Sequence, residues 1–421
     1  MKILYISQYF PPEMGAPSAR VAELSRHWVK TGHAVTVLTG FPNHPTGKVP
    51  ASYRKKLRRV VLKENADGVN VIRTWLLPFP NRKTLERILN HTSFCVSAAI
   101  TGLFLKRPDV VIATSPQLLV ALSGWWLARL KRVPFVFEVR DLWPESLVAV
   151  GMGNGSSLLY RALAKIANFL YKKSDRIVVV SPAFKDYLIE HLHIAADKIS
   201  VVQNGVETSL FDPNRADRNL KEDLGLEDKF VVSYIGTMGM AHGLEKILDA
   251  AMQLQQTQPE VTFLFVGEGS DKENVMSTAK SKNLSNIRFV DEQPRERIPD
   301  YICASDVCLV VLKKSDVFKT VIPTKMLEFM SCERPVLLGV EGQARKIIED
   351  ARAGVFIRPE SADDLTDAVV RLAKDPQLRY ELGRNGRKYI LQHFSRPQTA
   401  RAYLRLLESL LEQEIPTPVA A

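Results

Sequence analysis

Short runs of β-branched and apolar residues alternate with helical patterns along nearly the whole chain, and this alternation limits the fold more than any other feature. Runs at Lys2–Ser7, Ala34–Thr39, Val69–Thr74, Val110–Ala113, Phe135–Val139, Arg176–Val180 and Ile199–Gln203 read as strands. A helix is expected from about Pro17 to Lys30, and a variable basic stretch precedes Val69. The pattern restarts at Phe230–Ile235, with a helix from Gly243 to about Gln255. Further strands follow at Val261–Val266, Ile287–Val290, Val307–Val311, Pro335–Gly339 and Gly354–Ile357. Strands this continuously apolar are buried on both faces, the mark of a parallel sheet covered by helices. The expected class is α/β, two doubly wound Rossmann-like domains in succession, a count that suits 421 residues. The first takes residues 1–204 and the second 205–394, with turn chemistry at Asn204-Gly205, Asp212-Pro213 and Asn214 marking the junction. Residues 395–421 hold a last helix with Ala400, Tyr403, Leu404, Leu407, Leu410 and Leu411 in one apolar stripe. That helix either caps its own domain or crosses back to brace the first.

Composition narrows the function classes. With 46% hydrophobic and 24% charged residues the chain has material for true cores, which excludes intrinsic disorder as the main state. Cys95, Cys303, Cys308 and Cys332 show no paired ligand spacing, which disfavours a disulfide scaffold or zinc ribbon and suits a reducing compartment. No His, Asp or Glu cluster has metal-ligand spacing, so no metal site is expected. The opening residues Met1 to Ser7 read as a strand rather than a secretory signal. Val110 to Ala128 is free of charge, but Thr114-Ser115-Pro116-Gln117 splits it into a strand and an amphipathic helix rather than one membrane span. Charge is uneven: residues 1–200 carry 28 Lys and Arg against 13 Asp and Glu, and residues 201–421 carry 29 against 33. The basic half, dense at Arg54, Lys55, Lys56, Arg58, Arg59 and Lys63 and continued by Arg82, Lys83 and Arg87, implies an anionic partner or a solvated face. Trp125-Trp126 beside Arg129, Lys131 and Arg132 has the make-up of an interfacial anchor. Nucleic acid is not expected, because no zinc-finger, KH or RRM signature accompanies the charge.

Ligands of open α/β sheets bind beyond the carboxyl ends of the strands, so the loops after each strand carry the candidates. Gly15, directly before a Pro-started helix, lets backbone approach an anion or simply makes the turn. Gly236-Thr237-Met238-Gly239 leads through His242-Gly243 into a helix, a phosphate-cradling turn that is neither the dinucleotide fingerprint nor a P-loop; His242 donates to a phosphate or caps the helix. The sharpest constellation is Pro323-Thr324-Lys325-Met326-Leu327-Glu328. Thr324 has N-cap chemistry and Glu328 shares its helical face. Lys325 in the first turn opposes the helix dipole, a violation that a bound diphosphate would compensate. Glu328, one turn deeper, suits sugar hydroxyls; the plain alternative is an exposed Lys and a solvated Glu. In the first half, Glu138, Arg140, Asp141 and Glu145 around Trp143 point to a polar wall at a strand end, or to a simple Arg140–Asp141 ion pair. His44 stands in a similarly placed loop after the second strand.

Taken together, Gly15, Gly236-Thr237-Met238-Gly239 and Pro323-Thr324-Lys325-Met326-Leu327-Glu328 resemble family 4 glycosyltransferases of the GT-B fold, two Rossmann-like domains facing across a cleft. Gln8-Tyr9-Phe10-Pro11-Pro12-Glu13 and Gly32-His33-Ala34-Val35-Thr36-Val37-Leu38-Thr39 are similar to the WbuB-like branch, which serves bacterial surface polysaccharides. Asn204-Gly205-Val206-Glu207 and Phe265-Val266-Gly267-Glu268-Gly269 match the family's linker and second-domain strand. The resemblance implies a UDP-sugar donor, no cofactor, and metal-independent transfer with retention to a lipid-phosphate-linked saccharide. It further implies a cytoplasmic protein held peripherally on the anionic inner face of the cell membrane. In that pattern Glu328 binds the ribose, Lys325 and the backbone from Thr324 hold the diphosphate, and Gly15 and Gly239 close over it with Gly236 and Thr237. The loop through Gln293 and Arg295 falls where the base is held. Arg140, Asp141, His242 and Lys325 are the catalytic candidates, His44 and Trp143 the acceptor-side ones. The chain departs from the family at Thr320, where an acid is usual, in the glycine loop at Thr237 and His242, and at Arg140-Asp141, where a histidine is common. The alternatives are an epimerase on the same donor site, a non-catalytic nucleotide-sugar-binding partner and, more weakly, a dehydrogenase.

Overall fold

Strand β1 (Lys2–Ile6) lies in the middle of an eight-stranded sheet, with its central residues buried on both faces as their unbroken apolar run requires. The other strands are β2 (Ala34–Gly40), β3 (Val61–Ala66), β4 (Val69–Thr74), β5 (Val110–Thr114), β6 (Phe135–Val139), β7 (Arg176–Val179) and β8 (Ile199–Val201), in spatial order β3-β4-β2-β1-β5-β6-β7-β8. All neighbours are parallel except β3, which pairs antiparallel with β4. The computed structural model describes residues 1–44, 47–80, 84–149, 157–217 and 219–413. It divides into two units, Met1–Gln203 with Pro397–Ala421, and Asn204–Arg396.

The hairpin strand β3 occupies what the sequence presents as a basic connection. Lys63, Glu64 and Asn65 mask its alternation, and an edge strand tolerates them. Its signal is Asp67-Gly68, a two-residue turn in which both residues take positive φ (53° and 85°), the backbone that an Asp-Gly hairpin loop favours. Val110 to Ala128 divides into β5 and a helix at Leu118–Lys131. That helix is not amphipathic as expected: Leu118, Val120, Ala121, Ser123, Gly124, Leu127 and Ala128 are all buried, because helices pack on it from more than one side. Among the described residues no helix is long and apolar enough to cross a membrane.

The last helix, Arg396–Gln413, belongs almost entirely to the first unit. Ala400, Tyr403, Leu404, Leu407 and Leu410 enter the core beside Trp28 of the helix Ala16–Lys30. Trp28 stacks on Tyr5 of β1 (5.8 Å), meets Tyr403 edge-on (5.3 Å) and donates its indole N–H to the Ala400 carbonyl (3.1 Å).

The second sheet holds β9 (Phe230–Ile235), β10 (Val261–Val266), β11 (Ile287–Val290), β12 (Val307–Val311), β13 (Val336–Gly339) and β14 (Gly354–Phe356), all parallel, in order β11-β10-β9-β12-β13-β14. Counted from its own first strand this is the doubly wound order 3-2-1-4-5-6, and the first sheet repeats it once the β3 hairpin and β8 are set aside. The strand order reverses between β9 and β12, the switch point beyond whose carboxyl ends sheets of this kind bind ligands.

Tyr403 gives a two-way test of the terminal helix. Its ring is fully buried, while its hydroxyl is buried with no hydrogen-bond partner. Tyr403→Ala is expected to lower the unfolding free energy in denaturant titrations by about 3–5 kcal/mol, and Tyr403→Phe to leave it equal or higher. Equal losses from both would contradict this packing.

Candidate functional site

The loop leaving β9 at the switch point is shaped by backbone meeting backbone. Gly236 has φ +130°, and its N–H donates to the Val266 carbonyl (2.9 Å). A Cβ on Gly267 would fall 2.2 Å from the Gly236 carbonyl oxygen, and one on Gly269 would fall 2.1 Å from that of Met238. Only glycine allows this contact between the β9 and β10 loops. Gly239 leads into the helix through an intervening turn, and the helix begins two residues after the Gly243 expected from the sequence. A single 3-10 turn, Met240–His242, and Gly243 in the left-handed region intervene before the helix Glu245–Thr257. The carbonyl of Thr237 accepts the Tyr234 hydroxyl (2.6 Å), so a β9 residue pins the loop from beneath.

Into this loop points Lys325. The helix Thr324–Ser331 follows β12, with Pro323 rather than Thr324 as its N-cap, and no side chain caps its first N–H groups. Thr324 is its first residue, beside the extended backbone that Pro323 imposes. The Lys325 ammonium is buried with no hydrogen-bond partner, 4.0 Å above the centre of the Tyr234 ring. It lies so near Gly236 that a Cβ there would be 2.9 Å from Nζ. Burial drives its pKa down to about 7 from 10.5, with Glu328 opposing only in part. His242 shares the environment. Its Nδ1 lies 3.2 Å from the Val311 carbonyl, and burial, then the Lys325 charge, push its pKa down to about 3. The neutral ring thus carries its proton on Nδ1 and presents Nε2 as an acceptor, which does not fit donation to a phosphate.

Glu328, largely buried one turn deeper, is not a solvated acid: Oε1 pairs with the Arg295 guanidinium at 3.0 Å. Arg295, in the turn after β11, also lies 5.0 Å over the Phe211 ring. Gln293 is turned to the Asp291 carbonyl (3.2 Å). Thr320 lies in a short turn with its hydroxyl on the Val317 carbonyl (2.6 Å), and neighbouring Asp316 is paired with Lys319 at the surface. The second unit therefore gathers Gly236, Thr237, His242 and Lys325 at one strand end, with Glu328 one turn further along the Lys325 helix and paired with Arg295 from the turn after β11. Tyr234, central to this arrangement, has no signal in the sequence, since it completes an ordinary buried strand.

In the first unit, Gly15 is the N-cap of the helix Ala16–Lys30 at φ +112°, and a Cβ there would meet nothing nearer than Pro17 at 3.7 Å. The helix tip is open. Glu138, expected on a polar wall, is instead wholly buried in β6. It bonds Arg20 (2.9 Å) and receives the Tyr5 hydroxyl (2.5 Å), while Arg20 also donates to the carbonyls of Val202 and Gln203 (3.1 Å each). Arg140 does not turn to Asp141 as its main partner. Its Nη1 reaches the Pro17 carbonyl (3.3 Å), and its N–H donates to the Ser115 hydroxyl (3.0 Å). Burial raises Asp141 to about 6, against hydrogen bonds from Ser146 and from Trp143 and the Arg140 charge. Exposed His44 packs on Tyr9 at 4.8 Å. A further group, Glu13, has a buried carboxyl that burial pushes up to about 7. Its sequence signal was a charged residue two positions before Gly15 in a βα loop.

Comparison with known proteins agrees with this geometry. Residues 15–205 match the glycosyl transferase 4-like domain and residues 216–389 match glycosyl transferases group 1. The chain is 26% identical over 384 residues to WcaI of Escherichia coli (strain K12), a glycosyl transferase assigned to colanic acid biosynthesis, covering 88% of this chain and 91% of that one. It is 24% identical over 422 residues to glycogen synthase of Mycobacterium tuberculosis, covering 96% and 94%. Sucrose-phosphate synthase from Thermosynechococcus elongatus has the same fold, with a TM-score of 0.76 over 98% of this chain and all of that one at 18% identity. Anabaena Alr3699/HepE in complex with UDP-glucose gives 0.72 over 97% and 100% at 17% identity. With both domains matched in order on two doubly wound sheets, the chain belongs to the family 4 glycosyltransferases of the GT-B fold.

Proposed function

We propose that the protein moves a sugar from a UDP-sugar, an N-acetylated amino sugar such as N-acetyl-L-fucosamine, to a lipid-linked saccharide in bacterial surface polysaccharide (O-antigen or capsule) synthesis, with retention and without a metal ion. The observation that carries the reading is the Lys325 ammonium, desolvated, without a hydrogen-bond partner and directed at the Gly236 backbone. A buried cation in that state is costly, and a diphosphate supplies both the counter-charge and the acceptor oxygens. The uncapped N–H groups at Thr324 add further positive potential at the same point. In this reading Glu328, steadied by Arg295, takes the ribose hydroxyls, and Gly15, Gly236, Thr237 and Gly239 give close backbone approach. Gln293 and Arg295 flank the base, and His44 and Trp143 stand on the acceptor side. The acceptor oxygen bonds to the anomeric carbon as the bond from that carbon to the diphosphate oxygen breaks. The acceptor's proton passes to the departing phosphate oxygen. The protein's contribution is then positioning and charge stabilisation, with Lys325 on the leaving group and Arg140 and Asp141 shaping the field at the first sheet. The name of WcaI and the UDP complexes of HepE support the polysaccharide and donor assignments.

Membrane contact is part of the same proposal, for an anionic inner-leaflet surface. On the helix Thr84–Leu103, the side chains of Leu85, Ile88, Leu89, Val96, Ile100 and Leu103 are exposed, and Phe104 just beyond is 85% exposed. Basic residues Arg54, Lys55, Lys56, Arg58, Arg59 and Lys63 are exposed in the same unit, whereas Arg82 and Lys83 lie outside the described residues. Trp126 is exposed, but Trp125, half-buried, packs edge-on against Phe169 at 4.8 Å, so it contributes to the core rather than to an anchor. Apolar exposure and cations within one unit are the combination that binds anionic bilayers.

Lys325→Met tests the donor site with opposed readouts. The lysine titrates near 10.5 when unfolded and near 7 when folded, so at or below pH 7 the folded state bears the whole desolvation penalty. Stability then rises between those two values as only the folded state has lost the proton. The substitution is expected to raise stability at pH 7 by about 2–4 kcal/mol and to flatten that rise. It is also expected to weaken UDP binding by about tenfold or more in calorimetry. Unchanged UDP affinity would contradict the diphosphate assignment. For the membrane, Phe104→Asp together with Ile100→Glu is expected to lower partitioning into phosphatidylglycerol vesicles. Raising salt from about 0.1 M to about 1 M, which shortens the screening length from about 10 Å to about 3 Å, should lower it further. Binding indifferent to both changes would contradict this surface.

A further inference from the structure

A chain of hydrogen bonds at the carboxyl ends of β1 and β2 ends in two oxygens that accept nothing. The Gln8 amide donates to Asn90 Oδ1; Asn90 Nδ2 donates to Asn43 Oδ1 (3.3 Å) and to the Leu77 carbonyl (2.7 Å). The backbone N–H groups of Asn43 and His44 donate to Glu13 Oε1 at 2.8 and 3.0 Å. Gln8, Glu13, Asn43 and Asn90 are all more than nine-tenths buried. Gln8 Oε1 and Glu13 Oε2 are left buried without partners. Two N–H groups fix one Glu13 oxygen, so the carboxyl cannot turn to satisfy the other without breaking those bonds. Buried acceptors left open at both ends of an otherwise satisfied network mark a place for a donor from outside the protein.

The donor's chemistry follows from the surroundings. Arg73 acts electrostatically on Glu13, and Arg87 acts on neighbouring Tyr9, which opposes a cationic ligand and favours neutral hydroxyl groups. Tyr9 and exposed His44 provide an aromatic pair beside the network, 4.8 Å between ring centres, suited to the apolar face of a sugar ring. Gly15, at the open tip of the first helix, is two residues from Glu13. We propose that Gln8 and Glu13 form the subsite for the acceptor saccharide's hydroxyl groups, with Tyr9 and His44 as its platform. This rests on the transferase reading above and names the acceptor-recognition residues within it.

Glu13→Gln is the informative variant, because one oxygen remains for the Asn43 and His44 N–H groups while the open acceptor becomes a donor. Gln8→Met, close in shape and without an amide, is the second. With the full chain, saturation-transfer NMR against a panel of methyl glycosides should show at least one that saturates the wild type. Each variant should weaken that glycoside by about tenfold or more. UDP affinity should stay within about twofold of wild type in both, a change under about 0.5 kcal/mol. If no glycoside saturates the wild type, or if both variants bind as the wild type does, the subsite assignment is overturned. Failure of the wild type to bind UDP would instead contradict the donor reading, so the two failures are separable.

Discussion

A cation held out of water with no hydrogen-bond partner organises the second unit. Lys325 is placed there by Pro323, which ends an extended segment and starts the helix, and by Tyr234, whose ring lies beneath the ammonium and whose hydroxyl pins the Thr237 carbonyl. The glycines at 267 and 269 let the β9 and β10 loops close on each other, and Gly236 leaves room for the Lys325 ammonium. The neighbouring groups do not neutralise the cation: His242 is held neutral beside it, and Glu328 is paired with Arg295. A protein selected for stability alone would fill this position with an apolar side chain. Keeping a lysine in it makes sense when a ligand provides the missing charge.

The first unit shows the contrast between polar groups that build the fold and those that wait for a partner. Arg20, Glu138 and Tyr5 are fully buried, as the Lys325 ammonium is, yet each has hydrogen-bond partners, and together they tie β1, β6, the first helix and the chain beyond β8 into one piece. Gln8 and Glu13 belong to a network of similar depth that stops short at two oxygens. Burial is alike in the two sets; what differs is completeness of pairing.

Much of this was legible in the sequence. Nearly continuous apolar runs such as Val110–Ala113 and Val261–Val266 read as interior parallel strands, so the two-sheet α/β class followed directly. Lys325 stood out because a cation in the first turn opposes the helix dipole, a local rule broken at the residue whose ammonium is buried without a partner. What escaped was set by tertiary packing. Strand β3 was hidden by edge charges despite its Asp67-Gly68 turn. Glu138 looked like a surface acid because its partner Arg20 lies 118 residues away. The pairing of Glu328 with Arg295, from a different loop, and the tyrosine beneath Lys325 arise only when separate strands come together.

The most direct test is the proton balance of UDP binding. Lys325 has a pKa of about 7 when its ammonium lacks a partner, and a diphosphate beside it should restore the charged form. Calorimetry in buffers of different ionisation enthalpy should therefore show UDP binding taking up close to one proton at about pH 8.5 and almost none at about pH 6. Binding with no proton uptake at the higher pH would contradict the claim that the ligand's phosphates neutralise Lys325.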